Sequence, residues 1–180
     1  MWKAAERCLW ALGMLAIGYC TFLALKAERS QAQGRRELER PSLASLAPRN
    51  GDVVGRLEIP RLGLSTVVFE GADEDVLDRG AGHLTGSARP GDRGNVVLAA
   101  HRDTFFRPLR NIRVGDTVRI HAPDRDSVYV VESTTVVEPQ DTYVLDATTQ
   151  PALTLITCYP FRFIGSAPER FVVRAMLYQP

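Results

Sequence analysis

Two patterns of apolar and polar positions divide this chain. From Cys8 to Leu25 it reads CLWALGMLAIGYCTFLAL, a run without a charge, bracketed by Lys3, Glu6 and Arg7 on one side and Lys26, Glu28 and Arg29 on the other. A helix of that length rises about 27 Å, close to the thickness of a bilayer's hydrocarbon core. The run exceeds the apolar region of an ordinary secretory signal, and no small-x-small cleavage site follows Leu25 before the charges begin. An uncleaved transmembrane anchor over 8–25 is therefore expected, behind a short N-terminal tail, 1–7. Residues 26–50 are dense in charge and poor in large apolar side chains, which suits a linker that is either a helical extension of the anchor or a flexible stalk.

After Asn50 the period shortens. VVGRLEI, STVVFE, NVVLAA, DTVRIHA, SVYVVESTTVVE, ALTLIT and RFVVRAML are rich in β-branched residues, and GD, PGDRGN and APDRD fall between them as turn formers. The long alternation in SVYVVESTTVVE predicts a hairpin arm with one face inward. Only DEDVLDRG and FFRPLRNI read as short helices. Seven or eight short strands at this spacing predict an all-β sandwich or closed barrel over 51–180, closure having the merit of removing exposed edges.

Composition alters this picture little. With 45% hydrophobic and 24% charged residues and a net charge of +1, the chain has no field that would recruit nucleic acid. Cys8 and Cys20 lie in the apolar run, so Cys158 is the one thiol of the remainder and a disulfide framework is excluded. With His83, His101 and His121 as the whole imidazole supply, no metal site and no cofactor is expected.

Candidate chemistry gathers where predicted strands meet loops: His101 in NVVLAAHRDTFF, Cys158 in LTLITCYPF and Arg170 in SAPERFVVRA. A rigid strand end aims a side chain while the adjoining loop leaves room for substrate. A thiol is mostly protonated at neutral pH, so an imidazole must hold its proton for the thiolate to act. A guanidinium adds a permanent charge and a fork of donors for an oxyanion or a peptide carbonyl. These three types suffice for acyl transfer through a thioester. Taken singly, each has a plainer reading: a buried strand thiol, an uninformative imidazole and a solvated surface arginine.

Taken together, GRLEIPRLGL, GAGHLTGSARPGDRGNVVLAAHRDTFF, LRNIRVGDTV, VVEPQDTYVLDAT and LTLITCYPFRFIGSAPERFVVRA resemble, in order, the blocks of the sortases, membrane-anchored cysteine transpeptidases of bacterial cell surfaces, and most of all class D. The resemblance runs from Gly55 to Ala175. It implies a closed eight-stranded β-barrel with short helices after one transmembrane helix. Cys158 would be the nucleophile, His101 the general acid and base, and Arg170 the residue that positions substrate or steadies the transition state. The implied reaction cleaves an LPXTG-like sorting signal between Thr and Gly and passes the acyl group to an amine of a cell-wall precursor or protein.

Supporting roles are assigned more loosely. Thr157 could hydrogen-bond near the oxyanion, His83 could hold a loop beside the site, Asp103 could orient His101, and Tyr159 with Pro160 and Phe161 could shape a groove wall. One departure is Ala100, where the family commonly has Gly. Sorting-signal substrates lie outside the cell, so the resemblance implies an extracytoplasmic catalytic domain on a single-pass membrane protein. The basic residues at Lys26, Arg29, Arg35, Arg36 and Arg40 argue the other way. Two alternatives to a transpeptidase are a cysteine endopeptidase using the same three residues and a non-enzymatic, membrane-anchored peptide-binding β-domain.

Overall fold

The computed structural model describes residues 2–38 and 48–178, so 39–47 of the expected linker, 26–50, lie outside the described residues. Eight strands form a closed barrel: β1 (Val53–Ile59), β2 (Leu64–Glu70), β3 (Ala81–His83), β4 (Asn95–Ala99), β5 (Thr117–His121), β6 (Asp126–Val137), β7 (Ala152–Tyr159) and β8 (Glu169–Leu177), in the order β1-β2-β3-β4-β7-β8-β6-β5. Each of the seven apolar runs supplies one strand. The eighth, β3, is the three-residue segment Ala-Gly-His, too short and too poor in β-branched residues to show as alternation. DEDVLDRG folds as the short helix α2 (Glu74–Leu77), and FFRPLRNI yields a 3-10 turn over Arg107–Asn111.

Alternation sorts side chains to the two faces of the sheet. In β7, Leu153 and Leu155 point into the barrel with Val96 and Leu98 of β4 and Val173 and Ala175 of β8, all fully buried. Phe106 and Leu109, from the turn after β4, join the same core. On the outer face Ile156 meets Val172 of β8, Val137 of β6, and Val144 and Leu145 from the 3-10 turn Thr142–Leu145. That turn is held over the sheet by Asn95, whose amide donates to the carbonyls of Val144 and Asp146 and whose side-chain oxygen accepts from Thr154. Tertiary packing rather than local alternation thus decides β6: its first half is the hairpin partner of β5, and its second half pairs only with β8.

The N-terminal helix α1 runs from Trp2 to Leu38, through the uncharged run and well into the expected linker. Ile17, Met14 and Leu12 are among its solvent-facing apolar side chains. Judged over the described residues, no helix is long and apolar enough to cross a membrane, so the anchor remains a proposal. Beyond the apolar run α1 lies on the barrel. Gly34 is buried against Val67, where even a Cβ would come within 2.8 Å of a valine methyl. Nearby, Gln31 works as a surrogate peptide group: its side-chain oxygen accepts from Val67 N–H at 2.8 Å, and its amide donates to Arg79 O at 2.5 Å. It fills the ladder between β2 and the chain entering β3, so that two buried backbone groups keep their partners.

Candidate active site

Topology brings the three sequence-distant residues to one rim. Strands β4 and β7 are parallel neighbours, with Ala99 level with Ile156, so their C-terminal ends lie side by side. Ala100 N–H still donates to Ile156 O at 3.3 Å, extending the ladder past the strand. Two residues beyond each member of the Ala99 and Ile156 pair stand His101 and Cys158. Strand β8 is antiparallel to β7, so its start meets β7's end, and Cys158 is directly opposite Arg170. Side chains facing each other across an antiparallel pair have Cβ atoms roughly 5 Å apart on one face of the sheet. By alternation that face is the outer one, where Ile156 and Val172 continue as an apolar floor.

Each of the three is fixed by its local structure. Cys158 is a free, half-buried thiol. Arg170 is half-buried, and its Nη1 donates to the carbonyls of Ala167 at 3.2 Å and Glu169 at 2.9 Å, which sets the guanidinium across the strand start. His101 opens a turn closed by Phe106 N–H donating to His101 O at 3.1 Å, and the full burial of Phe106 anchors that turn in the core. The imidazole is 32% exposed, with Nε2 3.7 Å from an oxygen of Asp78, the residue that ends α2. Next in the chain, Arg102 donates to Phe163 O and Gly165 O, tying the loop after β4 to the loop after β7.

Of the supporting residues, Thr157 and Asp103 are placed differently from expectation, whereas His83 and Tyr159 are placed as expected. Thr157 is buried and its hydroxyl donates to Ala100 O at 2.6 Å. That proton is committed to joining the two strand ends and is not free for an oxyanion. Asp103 is exposed, and Asp78, from a distant segment, is the carboxylate that faces His101. His83 is buried, with Nδ1 2.7 Å from Glu70 and Nε2 2.9 Å from both Ala88 O and the Ser87 hydroxyl. It therefore pins the loop after β3 and is closed to substrate. Tyr159 stacks on Phe171 at 6.2 Å and meets Phe161 edge-on at 6.0 Å, an aromatic wall beside the thiol. His121 is half-buried between Glu58 and Asp126, with both in ion-pair range.

Among the described residues one group, Glu74, Asp78 and His101, brings three potential ligand atoms within 4.8 Å of one another. The carboxylates are exposed, and a cation held on that imidazole nitrogen would compete with its proton. The group is read as a charge environment for His101. Elsewhere, the guanidinium of Arg61 grips Asp116, holding that nearly buried carboxyl below the usual carboxylate range; the Arg113 backbone N–H adds to the effect and burial opposes it. This pair clamps the turn before β5, away from the rim.

Comparison with known proteins identifies the family of the barrel. The Sortase domain family model matches residues 57–178. Sortase D of Bacillus subtilis is 36% identical over 131 residues, covering 72% of this chain and 66% of that protein, so this chain matches just under two thirds of that relative. Sortase A of Bacillus anthracis is 27% identical over 144 residues, 76% of this chain and 67% of the relative. A Sortase D5 transpeptidase from Clostridium perfringens superposes with a TM-score of 0.74 at 26% identity, covering 85% of this chain and 98% of that one. Sortase A from Corynebacterium diphtheriae does so at 0.66 and 30% identity, covering 72% and 62%. A family match over most of the barrel, on a closed eight-stranded scaffold of the same shape, places this chain in the sortase family.

Proposed function

We propose that the chain is a cysteine transpeptidase acting on an LPXTG-like sorting signal. The observation that carries this reading is the register that sets Cys158 opposite Arg170, with His101 following the adjacent parallel strand on the same rim. In the proposed reaction the Cys158 thiolate attacks the carbonyl carbon between Thr and Gly, and charge develops on the carbonyl oxygen. Nη1 of Arg170 is occupied by backbone carbonyls, which leaves the other guanidinium donors for that oxygen or a neighbouring peptide carbonyl. His101 as imidazolium gives its proton to the departing amine, and the thioester remains. An incoming amine from a cell-wall precursor or protein then gives its proton to His101 as it attacks, releasing the thiolate and forming the new amide.

Anchoring through residues 8–25, with the barrel on the extracytoplasmic side, follows from where such substrates lie. It is supported by the uncharged run within α1.

Mass spectrometry of a model LPXTG-type peptide, with and without an added amine, tests the reading. The expected result is an acyl-enzyme on Cys158 and an amide product when amine is present. An acid product alone, whatever amine is supplied, would sink transpeptidation in favour of hydrolysis.

A further inference from the structure

We infer that Asp78 is a positioning residue for His101 and that the barrel-proximal end of α1 holds it in place. The inference rests on the role given to His101 above. The side chains of Asp78 and His101 are 42% and 32% exposed, and their 3.7 Å separation is that of an ion pair rather than a hydrogen bond. Such a carboxylate keeps Nε2 turned toward α2, which leaves Nδ1 as the ring nitrogen for proton exchange at the thiol and the leaving amine. Glu74 lies on the same side, one helical turn earlier. On the sheet side the charged and titratable neighbours are Cys158 and Arg170, and Arg102 follows His101 in the chain.

The residue after Asp78 is where α1 takes hold. Arg79 offers its carbonyl to the Gln31 amide and lays its guanidinium over the Phe69 ring, 4.3 Å from the centroid. Its N–H, like that of Gly80, donates to Val76 O. At Gly80 a Cβ would come within 2.5 Å of Val67 O and 2.8 Å of the Gln31 nitrogen, so only glycine lets the turn seat this closely. The Asp78 turn is thus gripped from below by β2 and from outside by α1. Gln31 lies six residues beyond Leu25, about 9 Å along the helix, so the helix that would carry the anchor also sets a carboxylate at the rim.

The test uses the full chain in detergent micelles, with labelled histidine observed by NMR at pH 7 and the His101 signals identified by their loss in His101→Ala. At low ionic strength Asp78→Asn is expected to move the His101 ring-nitrogen signals and to slow acyl-enzyme formation about threefold, the size of effect usual for an exposed ion pair. Most of that difference should vanish in 1 M salt, where the screening length is about 3 Å. Asp78→Glu should retain the parent signal. Gln31→Ala should move His101 in the same direction, and the double variant should move it no further than Asp78→Asn alone. At any one salt concentration the His83 and His121 signals should be the same in every variant as in the parent.

A His101 signal unmoved by Asp78→Asn overturns the inference, as does a movement of all three histidines together. A Gln31→Ala variant with parental His101 signals overturns the link to α1. Peptide turnover is measured in parallel. A parent chain that forms no acyl-enzyme while the ring responds as described would refute the proposed function and leave this inference standing.

Discussion

Two histidines of this barrel each face a carboxylate, and they have opposite characters. His83 and Glu70 are both nearly inaccessible, their contact is a 2.7 Å hydrogen bond, and the other ring nitrogen is occupied by Ser87 and Ala88. His101 and Asp78 are each about a third or more exposed and separated by 3.7 Å. The first pair has both ring nitrogens engaged and serves to weld the ends of β2 and β3 to the loop that follows. The second keeps a ring nitrogen in reserve, and its modest charge coupling costs little to make or break. The residue types are shared; burial and the count of satisfied polar atoms divide the roles.

Substitutions on both sides can break that comparison. The largest effect is expected for His101→Ala, which should lower kcat for peptide cleavage by about 10²–10⁴, the usual worth of a general acid and base, while leaving the unfolding midpoint near that of the parent. A loss of activity matched by a loss of stability would show that the ring is structural after all. Glu70→Ala should do the reverse. Leaving His83 buried without its partner should cost about 1–3 kcal/mol in a urea titration, and any fall in turnover should track the unfolded fraction. A stable Glu70→Ala protein would put the weld elsewhere.

Smaller effects sharpen the contrast. Thr157→Val should cost about 1 kcal/mol by orphaning Ala100 O, with kcat changed less than its stability loss would suggest for an oxyanion donor. A kcat deficit of a hundredfold or more would restore Thr157 to the chemistry. Away from both histidines, Asp116 provides a control on pH. Its carboxyl is held below the ordinary value by Arg61, so the stabilisation is complete above the unfolded value near 3.9 and is lost as pH falls through the lower folded one. Asp116→Asn should therefore melt below the parent at neutral pH and converge with it in acid. Curves that stay parallel down to the acid limit would remove the ion pair from the account. The smallest expected change is at Asp103, where substitution by Asn should leave both turnover and melting within error.

Cys158, His101 and Arg170 stood out as candidates because each sits at a change from β-branched run to loop, and because five blocks in order carry the resemblance to sortases. Asp78 and Gln31 were not, since DEDVLDRG and SQAQG offer no period or spacing that points to a site. Asp103 looked the better partner for His101 only because it is near in sequence. The turn stapled by Phe106 leaves Asp103 exposed, while α2 brings Asp78 across. Strand β3 escaped notice for a related reason: three residues cannot display a period of two, and their pairing with β2 and β4 is what makes them a strand.

By itself, then, the sequence determined the strands that alternate, the uncharged run ahead of them and the three candidate residues at strand ends, because period, charge and residue type are local properties of a chain. Tertiary structure decided the rest. The parallel register of β4 and β7 and the antiparallel register of β7 and β8 bring those strand ends to one rim. The β2–β3 register sets Glu70 beside His83, and the end of α2 places Asp78 near His101. Those choices depend on contacts between residues tens of positions apart, where no local pattern can carry the information.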